Sequence, residues 1–131
     1  MTGVQTCALP ISFTGRNEPD AHFRCVALAT GEVKWDRAEG WPNGGHAKLE
    51  AGDKAPDVFG RGAAILADGK LIVLGEAGLL GLFKPSADKI EEVARWQVPQ
   101  MRYPCWAAPV LANRLLYLRD EDHLVCYDLA K

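Results

Sequence analysis

The chain is 131 residues long, 48% hydrophobic and 24% charged, with a formal net charge of -2. Its 15 Lys and Arg are scattered, so there is no basic footprint for nucleic acid or for a membrane surface. No apolar run approaches bilayer length, the longest being Cys105 to Ala112, and no membrane-crossing helix is expected.

In chain order, Met1 to Ile11, MTGVQTCALPI, resembles the translation of a common sequencing-adapter oligonucleotide behind an initiating codon. It lacks the basic start and long apolar run of a secretory signal, and is set aside from fold reasoning. An adapter at the front implies a truncated reading frame, with the native N-terminus and any signal peptide lost. Ser12 to Asp20 is polar, carries Gly15, Asn17 and Pro19, and reads as a connection. Phe23 to Leu28 and Val33 to Arg37 read as the two outer strands of an incomplete unit over 12–37, whose inner strands fall in the lost part. His22, beside the first of them, reads as solvated. Residues 38–59 form a long Gly- and Pro-containing loop, of the kind that is functional or disordered.

Residues 60–98 hold four short runs closed by turn signals, which predicts one complete four-stranded antiparallel sheet. Ala63 to Ala67 ends at Asp68-Gly69, Leu71 to Leu74 follows, Glu76-Ala77-Gly78 breaks the chain, and Leu79 to Phe83 is the third run. The fourth, Ile90 to Val98, fits by periodicity either a half-buried strand or a helix behind a cap at Ser86. Internal repetition selects the strand. LADGKLIVLGEAGLL (Leu66 to Leu80) matches LANRLLYLRDEDHL (Leu111 to Leu124), at an offset of 45 residues before the turn and 44 after it. The same register sets Phe23-Arg24-Cys25-Val26 on Leu80-Gly81-Leu82-Phe83 and on Leu124-Val125-Cys126-Tyr127, and Trp35 answers Trp96. A fixed period of this size is the signature of propeller blades and solenoids. Residues 99–131 supply three strands of an incomplete last unit: Trp106 to Ala112, Leu115 to Leu118 and His123 to Leu129.

The run Ala27-Leu28-Ala29-Thr30-Gly31-Glu32-Val33-Lys34-Trp35 resembles the tail of the tryptophan-docking repeat of quinoprotein, or PQQ-like, β-propellers, A-x-D-x-x-T-G-x-x-x-W. Thr30, Gly31 and Trp35 match. Cys25 and Ala27 replace the small residue and the Asp, Cys126 and Asp128 occupy those two places in the last repeat, and the middle repeat keeps only Trp96. The resemblance implies an all-β fold, a partial β-propeller of four-stranded antiparallel blades, about two and a half of them. It also implies a periplasmic or otherwise extracytoplasmic address. Thr-Gly would make the tight turn between outer strands, and the Trp would pack between blades and seek a hydrogen bond. On that reading Trp96→Ala costs about 3 to 5 kcal/mol. If Lys131 is the true C-terminus, the lost N-terminal part would complete the last blade, and the fragment would then carry two open sheet edges and aggregate or fold only marginally.

Blade topology would put Asn43-Gly44-Gly45-His46 on one face with Glu76 and Asp120-Glu121-Asp122. His46, Asp120 and Asp122 are therefore the metal candidates, calcium being the natural cation for such carboxylates. The simpler reading is turn chemistry for the acids and a loop position for the His. Glu91 and Glu92 point to opposite faces of a strand and form no acid and base pair; neither a phosphate loop nor a nucleophile elbow is present. With Cys7 set aside, Cys25, Cys105 and Cys126 read as small buried apolar residues with no disulfide or metal role.

Two functions follow from the resemblance. The first is a non-catalytic PQQ-like propeller, a scaffold for protein or ligand binding that holds no cofactor in this fragment and docks on the missing blades of its own chain. The second is the C-terminal part of a PQQ-dependent quinoprotein dehydrogenase, oxidising an alcohol or sugar with PQQ and calcium. The scaffold is preferred, because the adjacent Cys-Cys pair of such enzymes is missing here and the docking motifs are degenerate.

Overall fold

The structure, a computed structural model, describes the backbone of residues 7–8 and 11–13, and residues 21–40 and 57–130 throughout. Every regular element among them is a strand: β1 (Cys7–Ala8), β2 (Ile11–Phe13), β3 (Ala21–Ala27), β4 (Val33–Ala38), β5 (Gly62–Ala67), β6 (Lys70–Gly75), β7 (Leu79–Pro85), β8 (Ile90–Gln97), β9 (Val110–Ala112), β10 (Leu115–Arg119) and β11 (Leu124–Asp128). The chain is all-β, built of antiparallel sheets, and no helix among the described residues is long and apolar enough to cross a membrane.

Three sheets stack in chain order. In the first, β4 lies on one edge of β3, while β1 and β2 lie along the other, where the sequence reading put no strand. Strand β3 would otherwise leave a row of backbone donors and acceptors unmatched. The second sheet has the order β5-β6-β7-β8 and the third β11-β10-β9. Residues 90–97 form a strand, as the internal repeat required, and the helical alternative falls away.

The turns show why the repeat folds as it does. Asp68 and Gly69 have φ of 48° and 67°, and Asn113 and Arg114 have 50° and 64°. Both pairs sit in the left-handed region that a two-residue hairpin of the right twist demands, and Asp, Asn and Gly tolerate it best. Thr30-Gly31 closes the β3–β4 hairpin: Gly31, at φ 73°, donates its N–H to the Ala27 carbonyl at 2.8 Å, and Thr30 Oγ1 accepts the Glu32 N–H at 3.3 Å. The strand expected from Trp106 is only Val110–Ala112. Pro109 has no N–H to give to a ladder, so regular pairing begins after it.

The middle sheet separates two apolar layers. Strand β6 is apolar from Leu71 onward because both of its faces are covered. Leu71 and Val73 face the first sheet, packing with Leu79, Phe83, Phe23 and Phe59. Ile72 and Leu74 face the third, packing with Val98, Met101, Cys105, Leu116 and Leu118. The rings of Phe23, Phe59 and Phe83 meet in a closed trio with centroids 5.4 to 5.7 Å apart. Gly81 leaves them that room: a Cβ there would come within 2.5 Å of Phe59 and 2.6 Å of Phe83.

The cysteine expectation needs correcting at two positions. Cys25 is fully buried, yet it is disulfide-bonded. Its partner is neither Cys105 nor Cys126, both of which are free. Cys126 itself is exposed, because β11 is an edge whose outer face is open among the described residues. Cys105 is buried and free, as expected.

Candidate functional site

Two arrangements merit a functional reading, a buried polar clamp and an apolar groove. The clamp stands at the end of the sheets that carries the β6–β7 and β10–β11 turns. Three carboxylates are buried in this region: Glu39 after β4, Glu76 after β6 and Asp120 after β10. Glu76 and Asp120 occupy matching places after the second strand of their repeats, and each holds the backbone of an arginine that leads into its own sheet. Glu76 Oε1 accepts the Arg61 N–H at 3.0 Å, and Asp120 Oδ2 accepts the Arg102 N–H at 2.8 Å. Glu39 receives the Phe59 N–H at 3.4 Å and the Arg37 guanidinium at 2.7 Å.

Residues 102–105 tie the second and third sheets together. Cys105 donates its N–H to the Glu76 carbonyl at 2.8 Å and its thiol to the Arg102 carbonyl at 3.1 Å. Burial, with the Asp120 charge as a second cause, pushes the Cys105 thiol up to about 12, which leaves it protonated and a poor nucleophile. Asp120 also accepts the N–H groups of Asp122 and His123 and faces the His123 ring at 3.1 Å. Burial acts to raise its pKa, but the donated N–H groups of Arg102, His123 and Asp122 outweigh burial and hold the carboxyl below its ordinary value.

The metal candidates are thus distributed unevenly. Asp120 spends its oxygens on the backbone, Asp122 contributes its own N–H to Asp120, and His46 lies outside the described residues. Among the described residues no group of three His, Cys, Asp or Glu is placed to hold a metal ion. His22, expected to be solvated, is half-buried and bonds Asp36, whose carboxyl is lowered chiefly by that contact, with Arg24 adding to it.

A second ionic network, unforeseen in the sequence, joins the first two sheets. Arg37 on β4 and Arg95 on β8 both bond Glu92, at 2.5 Å, and Arg95 also reaches Asp57 at 2.9 Å. The two guanidinium groups lie over the Phe83 and Phe59 rings, each 5.3 Å from a centroid. The Arg95 hydrogen bond first, then Arg37, lowers the Glu92 carboxyl to about 2 against the opposing effect of burial. A depressed carboxylate contributes stability above its unfolded pKa, here 4.5, and loses it as pH falls toward the folded value. Glu92→Gln should therefore cost about 2 kcal/mol at pH 7, and the difference from the parent should vanish by about pH 2 in urea melts taken across pH. An unchanged difference at low pH would show that the charge is not its source.

The docking tryptophans behave unequally. Trp35 on β4 reaches the next sheet and donates its indole N–H to the Ser86 carbonyl in the β7–β8 turn at 2.8 Å. Trp96 on β8 also reaches the next sheet, meeting the Tyr127 ring edge-on at 5.3 Å, but it remains 47% exposed. Full burial was the premise of the cost expected for Trp96→Ala, so that cost drops to about 1 kcal/mol. Asp128 caps the last strand by accepting the Ala130 N–H at 2.9 Å. Beside Trp96 opens an apolar cavity of about 210 Å³, lined among others by Leu80, Leu82, Ala94, Leu116 and Leu129.

Comparison with family models, with curated proteins and with solved structures gives no match for this chain.

Proposed function

We propose that the chain is part of a PQQ-like β-propeller that serves as a non-catalytic scaffold for protein or ligand binding. The observation that carries this reading is the Trp35 hydrogen bond to Ser86 of the following sheet, beside a Thr30-Gly31 turn of the shape the docking repeat calls for. The matching hairpins at Asp68-Gly69 and Asn113-Arg114 support it, since they recur one period apart in successive stacked sheets. A scaffold role is favoured because the buried carboxylates are engaged in holding the chain: Glu39 and Glu76 by an arginine and a backbone N–H, Asp120 by three backbone N–H groups. The extracytoplasmic address comes with the resemblance.

The test is a titration of the purified chain with PQQ and calcium, followed by absorbance and by a dye-reduction assay with simple alcohols and sugars. No saturable PQQ binding and no dye reduction are expected. Saturable binding with substrate-dependent dye reduction would overturn the scaffold in favour of a quinoprotein dehydrogenase.

A further inference from the structure

The connection between β8 and β9 displays an aromatic corner at the end of the sheets that carries the buried carboxylates. Trp106 is 51% exposed, and the Tyr103 ring stands edge-on to it, with centroids 5.8 Å apart and planes at 72°. The Arg61 guanidinium lies over the Trp106 ring, 5.5 Å from its centroid, and pairs with the buried Glu76 at 3.5 Å. Arg61 leads into β5 and Trp106 into β9, so the corner lies between the second and third sheets and not on an outer face of the stack.

The backbone that carries this corner is fixed from beneath. Asp120 accepts the Arg102 N–H at 2.8 Å, and Cys105 donates its N–H to the Glu76 carbonyl at 2.8 Å and its thiol to the Arg102 carbonyl at 3.1 Å. Met101 before the corner and Pro109 after it are both buried. Tyr103, Trp106 and the exposed Arg102 side chain are therefore held in place while they face outward. Leaving a tryptophan half in water forgoes apolar burial that the fold could use. A partner regains that burial, and side chains already fixed lose little freedom on binding, which is why Trp, Tyr and Arg dominate the energetics of protein interfaces.

Charge sets the chemistry of the partner. The acids beneath the corner face inward: Glu76 toward the Arg61 N–H and guanidinium, Asp120 toward three backbone N–H groups. Glu121 and Asp122 are exposed in the adjacent β10–β11 turn, yet the Arg102 guanidinium makes no ion pair among the described residues. The corner thus presents an apolar ring beside a cation whose charge is unmatched there, and it complements an apolar side chain next to a carboxylate.

We propose that Arg102, Tyr103 and Trp106 form a docking surface for a partner polypeptide, which sets a carboxylate on Arg102 and an adjacent large apolar side chain on the exposed part of Trp106. Arg102 supplies selectivity for the acid, and Trp106 supplies most of the affinity. The proposal rests on the scaffold reading in taking the partner to be a polypeptide. The PQQ titration above examines that reading alone, so the failure of one is distinguishable from the failure of the other.

The probe is a phage-displayed library of random twelve-residue peptides, selected on the whole chain; the enriched peptides are then synthesised with a fluorescent label and followed by anisotropy. Enriched sequences should share an Asp or Glu beside a large apolar residue, and replacing that acid by Lys should abolish binding. Trp106→Ala and Arg102→Glu should each weaken binding by roughly tenfold or more. Both side chains are exposed, so both variants should keep the parent circular dichroism spectrum and urea midpoint. Should Trp106→Ala fail to fold, Arg102→Glu decides the matter, since its guanidinium holds no other charge among the described residues. The proposal is overturned by no enrichment, by enriched peptides without the acid, or by folded variants that bind like the parent. Sedimentation showing a dimer that Arg102→Glu dissociates would also overturn it, assigning the corner to a second copy of this chain.

Discussion

Phe59→Ala is expected to lower the unfolding free energy by about 3 to 5 kcal/mol, a large share of the roughly 5 to 15 kcal/mol that holds a domain folded. The ring is 1% exposed and touches Phe23 and Phe83 at centroid distances of 5.7 and 5.4 Å, with the Arg95 guanidinium over it at 5.3 Å. It is the part of the connection between the first two sheets that plugs the layer between them. Its backbone is pinned as well, since its carbonyl accepts the Glu76 N–H at 3.1 Å. That pinning hinders the segment from collapsing into the space left, so the cavity should persist. Urea unfolding should show a lower midpoint at unchanged slope for Phe59→Ala and a much smaller loss for Phe59→Leu. Equal losses for the two would indicate that the shape and ring contacts of Phe59, and not its apolar volume, carry the stability.

Asp120→Ala should cost about 3 kcal/mol, because it strands the N–H groups of Arg102, Asp122 and His123, which the carboxylate now accepts. Asp120→Asn keeps one carbonyl oxygen and should lose about half as much. The pH dependence separates charge from geometry. The folded pKa lies below the ordinary 3.8, so the ionised group contributes stability above 3.8 that is lost as pH falls through the folded value. The gap between parent and Asn variant should therefore narrow on acidification below about pH 4. Thiol labelling gives a second readout, since Cys105 is buried and held by the same segment while Cys126 is exposed. In the native parent an alkylating reagent should modify Cys126 readily and Cys105 slowly, and Asp120→Ala should speed Cys105. A variant that leaves Cys105 as slow as before would show that the 102–105 segment is anchored by its other contacts alone.

Strands β5, β6 and β7 were legible because each is short, largely apolar and followed or preceded by a turn that takes left-handed backbone, at Asp68-Gly69 and at Gly78. Repetition at Leu111 to Leu124 resolved the one ambiguity that periodicity left, at Ile90 to Gln97. The site was less legible. Glu76 and Asp120 stood out as acids in matching turns, but a turn acid reads the same whether its oxygens face solvent, a cation or the backbone of a connection 15 to 18 residues away in sequence. Glu39 and the Arg37, Glu92 and Arg95 network carried no signal at all. Their partners come from different sheets, and a single sequence shows which residues are charged but not which strands face each other across a stack.

The amino-acid sequence by itself determined the all-β class, the hairpin positions and the repeat, since these depend on side-chain alternation and on backbone conformations that only a few residues accept. Tertiary structure alone decided which faces are covered. It packs the half-buried Trp35 indole against one sheet while leaving Trp96 half open, and turns Asp120 inward onto Arg102. Those outcomes depend on what lies about one sheet spacing, roughly 10 Å, beyond each strand, a distance that local sequence does not encode.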